Sequence, residues 1–229
     1  MADNGNKSPL RMRELEQMPS RRSQITETLR AAIIAGEMPN GVVYSAPVLA
    51  REFGVSPTPV REAMLHLAKE GLIEVARNKG FRVVEPSDRD IEEITELRIL
   101  IEVPTVAKIA SVGASAIMLR ELDALAARTV EAARASDITG HVVADMAFHL
   151  DLLALSGNEH LVETVRTLRS KSRLFGLRAP EKTDTLRESS LEHAELVNFV
   201  RKREPEEAQA LLSRHIQRAL VEWRRNPTG

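Results

Sequence analysis

Apolar residues recur at two different intervals along the first third of the chain. Helical spacing predicts three helices, and two short β-prone runs separated by a polar turn predict a hairpin behind them. The predicted elements are helices over Arg21–Ala35, over Pro47–Phe53 and from Ser56 to a stop at Gly71, and strands over Leu72–Ala76 and Phe81–Val84. Three helices followed by a hairpin form a winged helix-turn-helix, which we place at residues 20–85.

The pattern changes after Pro86, because no further strand signal appears and helical spacing continues to the end of the chain. Six helices with short connections predict an all-α bundle over residues 88–225. They cover Ser87 or Asp88 to about Ala110, Ser115–Arg134, Ile138–Leu155, Glu159–Phe175, Leu186–Arg203 and Pro205 to about Arg225, with a loop over Gly176–Thr185. Pro104 is expected to kink or split the first of them.

Composition and charge narrow the class of protein. The chain has 229 residues, 43% of them hydrophobic, and no cysteine, which excludes disulfides and thiolate chemistry. No apolar run approaches the length of about 20 residues that spans a membrane, so we expect a cytoplasmic protein. Residues 1–84 hold 12 Lys/Arg against 9 Asp/Glu, a mildly basic balance compatible with DNA binding. Residues 1–19 lack periodicity and are expected to form a disordered arm.

The third predicted helix carries hydrogen-bond donors at its start. Ser56 and Thr58 are good N-cap residues, and Arg61 lies on the exposed face just behind them. A helix-turn-helix protein inserts a helix of this kind into the DNA major groove. The alternative from this stretch alone is an ordinary amphipathic helix of a small domain.

The second half of the chain contains a candidate metal site. Asp145 and His149 are four residues apart and therefore share one helix face, while His193 and His215 lie on or beside the apolar stripes of two later helices. Together they can form a site of one carboxylate and three imidazoles inside a bundle. Such a set suits Zn²⁺ first, with Ni²⁺, Mn²⁺ or Fe²⁺ as alternatives. Each histidine taken singly is more often an ordinary core or surface residue, and His141 is either a neighbour of the site or unrelated to it.

The chain resembles the GntR family of bacterial transcription regulators, specifically the FadR-type group with an FCD effector domain. The residues that carry the resemblance are Leu49-Ala50, Gly54-Val55-Ser56, Thr58-Pro59-Val60-Arg61-Glu62-Ala63, Leu67, Glu70-Gly71-Leu72 and Gly80. The resemblance covers about residues 20–225, and six bundle helices rather than seven favour the VanR-like branch. Two positions depart from the family pattern, since Pro57 stands where an arginine is usual and Ala46 where a glutamate is usual.

The resemblance implies roles for single residues at both ends of the molecule. Arg61 would reach base edges or a phosphate, and Ser56 and Thr58 would hold a backbone phosphate. Arg98 matches an arginine that in relatives helps to hold a carboxylate effector, although a surface ion pair with Glu102 is the alternative. Beyond the resemblance, Arg51 and the wing residues Arg77 and Lys79 are natural phosphate or minor-groove contacts, with ordinary solvated charge as the alternative, and Ser189, one turn before His193, is an additional pocket candidate.

These expectations combine into one functional hypothesis. The chain is predicted to be a homodimeric, metal-containing transcriptional repressor that binds a palindromic operator and responds to a small organic acid or sugar acid. The alternative is a metal-dependent enzyme that acts on a small organic acid and carries an accessory DNA-binding domain. A purely structural metal is also open at this stage.

Overall fold

A computed structural model describes residues 20–34, 36–77, 79–85, 87–176 and 183–225. Within these residues the N-terminal part contains three helices and a small sheet. The elements are α1 (Arg21–Ile34), β1 (Val43–Tyr44), α2 (Ala46–Glu52), α3 (Pro57–Lys69), β2 (Ile73–Ala76) and β3 (Gly80–Val83). The predicted winged helix-turn-helix is therefore present, with boundaries within a few residues of those expected.

The sequence chemistry of α3 explains where this helix begins and ends. Ser56 occupies the N-cap position with extended backbone angles, and Pro57 follows in the first turn, where its missing N–H costs no hydrogen bond. Val60, Met64 and Leu67 are fully buried and fix the orientation of the helix on the core. The opposite face, including the start of the helix, remains exposed to solvent.

The sheet has three antiparallel strands in the order β1-β3-β2. The hairpin β2–β3 was predicted, whereas β1 was not, since it consists of two residues inside a segment rich in turn-forming residues. Val43 pairs with Arg82 and Tyr44 with Phe81. Strand β1 thus fastens the wing to the chain segment that enters α2.

Six helices follow the sheet within the described residues, as predicted. They are α4 (Asp88–Val112), α5 (Ala116–Arg134), α6 (Ile138–Ala154), α7 (Glu159–Gly176), α8 (Thr183–Lys202) and α9 (Pro205–Arg225). Ser87 caps α4 in a reciprocal capping box with Asp90, and Ser115 caps α5. Helix α8 begins three residues earlier than the sequence pattern indicated.

Pro104 does not split α4, which runs from Asp88 to Val112 as one helix. The residue lies on the exposed face of the helix, where water can replace the hydrogen bond that proline cannot donate. An unbroken α4 matters for the site described below, because it carries Arg98 and Glu102 into the bundle interior.

Two separate hydrophobic cores support the two parts. One consists of residues from α1 to β3 and includes Leu29, Met64 and Phe81. The other lies inside the bundle and includes Phe148 and Leu152. Helix α1 contacts α6 and α7, so the first part rests directly on the second.

Some predictions fall outside the described residues. These are the disordered arm over residues 1–19 and the central part of the predicted loop, residues 177–182. None of the described helices is long and apolar enough to cross a membrane.

Candidate DNA-binding surface and candidate metal centre

A groove of about 760 Å³ separates the start of α3 from the wing formed by β2 and β3. Thr58 and Arg61 line it from the helix, and Lys79 lines it from the turn of the wing. The remaining predicted DNA contacts do not line this groove, but all of them are exposed: Arg51, Ser56 and Arg77. The hydroxyl of Ser56 makes no capping hydrogen bond and is therefore available to a ligand.

The bundle brings Asp145, His149, His193 and His215 together. One ligand-type atom from each residue lies within 4.8 Å of those of the other three, and all four side chains are buried. The Nε2 atoms of His149 and His215 are 3.2 Å apart. The first two residues come from α6 and the others from α8 and α9, so three helices meet at this point.

The two carboxylate oxygens of Asp145 face different neighbours. Oδ1 lies 3.4 Å from Nε2 of His193 and 3.8 Å from Nε2 of His149. Oδ2 accepts a hydrogen bond from Nη2 of Arg169 at 2.9 Å and also contacts Nη2 of Arg173. The carboxylate thus joins the imidazole cluster to a pair of arginines on α7.

A threonine on α5 contacts His193. The hydroxyl of Thr129 donates to the carbonyl oxygen of Ala126 at 2.8 Å and lies 2.9 Å from Nδ1 of His193. With the hydroxyl proton on the Ala126 carbonyl, Nδ1 of His193 is the donor and Nε2 presents a lone pair. Nε2 is buried, lies 3.4 Å from Oδ1 of Asp145 and makes no hydrogen bond with a described residue.

A carboxylate sets the tautomer of His215. Its Nδ1 donates to Oε2 of Glu192 at 2.8 Å, so its Nε2 also presents a lone pair. Glu192 in turn is held by Arg218 from α9. Ser189, predicted to be a pocket residue, has its hydroxyl 3.5 Å from the same Nδ1, so it borders the cluster.

The electrostatics of the cluster favour neutral imidazoles and an ionised carboxylate. Burial lowers the pKa of His193 to about 4, and it lowers the pKa of His149 and His215 as well. Burial alone would raise the pKa of Asp145, but the guanidiniums of Arg173 and Arg169 outweigh it and hold that pKa well below its usual range. Neutral imidazole nitrogens and a carboxylate oxygen are the protonation states that bind metal ions.

A second buried ion-pair network lies beside the cluster. Nε of Arg98 donates to Glu102 at 2.7 Å, and Nη1 donates to Ser172 on α7 at 3.1 Å. The other oxygen of Glu102 accepts from Arg169 at 2.9 Å. The sequence left open an ion pair of Arg98 with Glu102 at the surface. The ion pair forms, but its predicted surface location is wrong, because the packing of α7 on α4 buries both side chains.

His141 lies one helical level before the cluster and is buried. Its Nδ1 is 3.2 Å from the carbonyl oxygen of Thr129 and 3.5 Å from the hydroxyl of Ser190. It therefore touches the residue that positions His193, although its ring does not join the four converging side chains.

Helix α7 also contacts the N-terminal part of the chain, next to Arg169 in the sequence. Arg30 on α1 forms a buried two-pronged ion pair with Glu70, the residue that ends α3, with Nη2 to Oε1 at 2.8 Å. Nη1 of Arg30 lies 3.4 Å from the hydroxyl of Ser170, which adjoins Arg169 in the sequence. Polar contacts on either side of the Arg169–Ser170 backbone step in α7 therefore connect Asp145 to the end of α3.

Several residues of this site were not predicted from the sequence. Arg169 and Arg173 are four apart on one helix face, and Thr129 is a polar residue in the buried stripe of α5, so both features carried a signal. Glu192 directly precedes His193 but pairs with a residue 23 positions later. Its role depends on tertiary packing that no local pattern reports.

Comparisons with known proteins agree with this architecture. The model for the bacterial regulatory proteins of the gntR family matches residues 21–83, and the model for the FCD domain matches residues 93–218. An HTH-type transcriptional regulator in the TAR-I ttuE-ttuC' intergenic region of Agrobacterium vitis is 35% identical over 130 residues, which cover 55% of this chain and 75% of the relative.

Two further proteins are similar to parts or all of the chain. The gluconate operon transcriptional repressor of Bacillus subtilis is 37% identical over 79 residues, which cover 34% of this chain and 32% of the repressor. The structure of McbR/YncC of E. coli has a TM-score of 0.81 and 24% identity, covering 92% of this chain and 100% of that one, and so shares the fold. The chain belongs to the gntR family of bacterial regulatory proteins, with an FCD domain as its second part, and is a transcriptional regulator rather than an enzyme.

Proposed function

We propose that this regulator is a homodimeric repressor whose affinity for a palindromic operator depends on a metal ion and a small carboxylate bound in the helical bundle. The observation that carries this proposal is the burial of one carboxylate and three neutral imidazoles at one point beside an arginine network. Burying polar and charged groups costs free energy unless each one has polar partners, and a bound metal ion would be such a partner for all four.

Atomic detail at the cluster supports a metal ion. Nε2 of His193 and Oδ1 of Asp145 face each other at 3.4 Å, and with the imidazole proton on Nδ1 a cation could bind both atoms. Two atoms bound to one ion at about 2.0–2.1 Å lie at most about 4.2 Å apart, and the distances of 3.2, 3.4 and 3.8 Å within the cluster meet this limit. The four ligand atoms as a set lie within 4.8 Å of one another, so the most distant pair would approach by up to about 0.6 Å on metal binding. Asp145, His149, His193 and His215 would hold the ion, and Zn²⁺ is the first candidate for this donor set.

Positive charge beside the cluster supports an anionic effector. Arg98, Arg169 and Arg173 face only two described carboxylates, Glu102 and Asp145. A bound divalent cation would supply a Lewis acid and add further positive charge, so a small organic acid or sugar acid complements the site. Arg98 would bind its carboxylate after exchanging the hydrogen bond to Ser172, and Ser189 would contact it from α8.

The exposed start of α3 and the adjacent wing support direct DNA binding. Arg61 would read a base edge or bind a phosphate, while Ser56 and Thr58 would bind a phosphate with hydroxyls and main-chain N–H groups. Arg51, Arg77 and Lys79 would contact the backbone on either side. Two copies of this surface on a two-fold dimer would require a palindromic site.

The contact path through α7 supports coupling between the two ends. Arg169 binds Asp145, and its neighbour Ser170 approaches Arg30, which holds the end of α3 through Glu70. A change in charge around Asp145 therefore acts on the helix that also contacts the DNA-binding part. The similar gluconate operon regulator of Bacillus subtilis is a repressor, and this supports repression as the mode of regulation.

One set of measurements tests this proposal. The purified protein is analysed for metal content, screened by thermal shift against citrate, lactate, gluconate and glucuronate, and titrated with duplex DNA selected from a random library. We expect about one metal ion per chain, stabilisation by at least one acid, and operator affinity that changes when that acid binds. A protein that binds neither metal nor acids, or whose operator affinity ignores both, contradicts the proposal.

A substitution in α3 tests the DNA surface separately. Arg61→Ala should abolish detectable operator binding while the melting temperature stays unchanged, because Arg61 is exposed and makes no core contact. Arg120→Ala, an exposed arginine on α5, is the matched control and should bind operator normally. Unchanged affinity of the Arg61→Ala variant in a gel-shift titration would refute the assigned reading helix.

A further inference from the structure

The hydrogen bonds behind the imidazoles carry one inference that rests on the proposed metal site and goes beyond it. We infer that Thr129 and Glu192 are positioning residues, which hold His193 and His215 in the tautomer that offers Nε2 to a metal ion. Neither residue was assigned a role by sequence, and neither supplies one of the four converging ligand atoms.

The hydroxyl of Thr129 makes two buried contacts. It donates to the carbonyl oxygen of Ala126 at 2.8 Å, inside the same helix, and lies 2.9 Å from Nδ1 of His193. With its proton on that carbonyl, its lone pairs accept from Nδ1, which leaves Nε2 of His193 free to bind an ion. This arrangement keeps both contacts, whereas rotation of the hydroxyl toward Nδ1 would give up the bond to Ala126.

Glu192 acts on His215 through its negative charge. An ionised carboxylate cannot donate, so Nδ1 of His215 at 2.8 Å carries the proton, and the negative charge makes Nε2 a stronger electron donor. The guanidinium of Arg218 pairs with the other oxygen of Glu192, and this ion pair keeps the carboxylate ionised. The contact with Arg218 also fixes the carboxylate in place.

The two positioning residues come from different helices and act on different ligands. Thr129 on α5 orients a ring of α8, and Glu192 on α8 orients a ring of α9. The tautomers are therefore set before any ion arrives, and the entropic and proton-transfer costs of assembling the site fall accordingly. Residues of this type behind metal-bound histidines are worth about 10–100-fold in metal affinity.

The test measures affinity for Zn²⁺ by competition with a chromogenic chelator, and the absorption spectrum of the Co²⁺-loaded protein. Thr129→Val removes the acceptor and keeps the shape of the side chain, whereas Thr129→Ser keeps the hydroxyl. We expect Thr129→Val to bind Zn²⁺ about 10–100-fold more weakly and to show an altered Co²⁺ spectrum, with Thr129→Ser within about threefold of the unmodified protein. Circular dichroism and chelator-treated melting curves verify that each variant folds.

A second pair tests the carboxylate. Glu192→Ala should weaken Zn²⁺ binding by about 10-fold or more. Its matched control is Glu188→Ala, which removes the other carboxylate near Arg218, at 3.8 Å, from an exposed position one turn earlier on α8. The control should bind Zn²⁺ like the unmodified protein.

The outcomes separate this inference from the proposal on which it rests. If the unmodified protein binds no Zn²⁺ or Co²⁺, the proposed metal site itself is refuted. If it binds metal and the affinities of Thr129→Val and Glu192→Ala match those of their controls, the site stands and the positioning roles are overturned. Equal weakening by Thr129→Val and Thr129→Ser would also overturn the role of the hydroxyl, because packing would then be the cause.

Discussion

At Asp145 one buried carboxylate serves two groups of neighbours. Its Oδ2 balances the charge of Arg169 and Arg173, and its Oδ1 faces the imidazoles of His149 and His193. A buried charge is tolerated only when it is paired and hydrogen-bonded, so the arginines stabilise the carboxylate whether or not an ion is bound. A change in charge at the imidazoles therefore alters the interaction of Asp145 with Arg169 and Arg173.

The buried imidazoles predict how stability depends on pH in protein treated with a chelator. The pKa of His193 is about 4 in the folded state and about 6.5 when unfolded. The unfolded chain therefore binds more protons between these values, and stability must fall as the pH falls from about 6.5 to 4. His193 alone accounts for a loss of about 3 kcal/mol, which urea unfolding at pH 7.5, 6.5, 5.5 and 4.5 would measure.

A substitution identifies the group responsible for this loss. His193→Gln should reduce the decline over the same pH range and leave the part that comes from His149 and His215, whereas His160→Gln, at an exposed position on α7, should leave it unchanged. A free energy of unfolding that is the same at pH 7.5 and pH 5 would contradict the buried, uncharged state of the cluster.

Single residues also show the limit of prediction from sequence. The pair Asp145 and His149 was predictable because a helix places residues four apart on one face. The partners that control them were not, since Thr129 lies 64 positions before His193 and Arg169 lies 24 positions after Asp145. Such contacts arise from the packing of helices and leave no periodic trace.

At the scale of elements, the wing depends on a close approach of two strands. The backbone of Gly80 has φ of +129°, and a β-carbon added there would lie 2.2 Å from the carbonyl oxygen of Tyr44 in β1. Only glycine fits this position, since any side chain would separate β3 from β1. The requirement explains how a strand of two residues can be held in the sheet.

Gly80→Ala should therefore damage the wing. We expect a loss of more than about 2 kcal/mol in the stability of the N-terminal part and weaker operator binding, because backbone strain and a backbone clash add together. The measurements are thermal unfolding and a gel-shift titration with the selected duplex.

Gly41→Ala is the matched control for this prediction. Gly41 also has a positive φ, +78°, but a β-carbon there meets no atom within 4 Å. Its cost should be limited to about 1–2 kcal/mol of backbone strain. Equal effects of the two substitutions would show that contact with β1 does not shape the wing.

Elements were more predictable than their contacts. Ser87, Ser115 and the proline after Ser56 fix helix starts through local hydrogen bonding, so these boundaries could be read from the sequence. Strand β1 was missed because pairing with β3, and not the propensity of two residues, creates it. The same holds for the burial of Arg98, which depends on α7.

At the scale of the whole molecule, α7 connects the bundle interior to the DNA-binding part. Four consecutive residues reach four different places. Arg169 contacts Asp145, Ser170 approaches Arg30, the Cε atom of Lys171 lies 2.9 Å from where a β-carbon of Gly71 would be, and Ser172 binds Arg98. Helix α7 thus contacts one predicted metal ligand, Asp145, and also contacts Arg30 and lies beside Gly71 in the N-terminal part.

This arrangement predicts that Ser170→Ala weakens coupling without weakening either binding site. Arg30 keeps its ion pair with Glu70 in this variant, so the fold should persist and operator affinity of chelator-treated protein should match that of the unmodified protein. Coupling of this kind typically changes affinity by about 5–150-fold. The factor by which Zn²⁺ and an active acid change operator affinity should be several-fold smaller in this variant than in the unmodified protein. Thr164→Val is the control, because that hydroxyl on α7 bonds only within its own helix to His160.

Thermodynamic linkage supplies the decisive measurement for this variant. If Zn²⁺ and acid change operator affinity by a given factor, operator DNA must change their affinity by the same factor. Titrations run in both directions must therefore show the same reduced factor for Ser170→Ala and the full factor for Thr164→Val. A Ser170→Ala protein that retains the full factor in both directions would exclude the contact with Arg30 as the route. The other contacts between the two parts, those of Lys171 beside Gly71 and of α1 with α6, would then be the candidates.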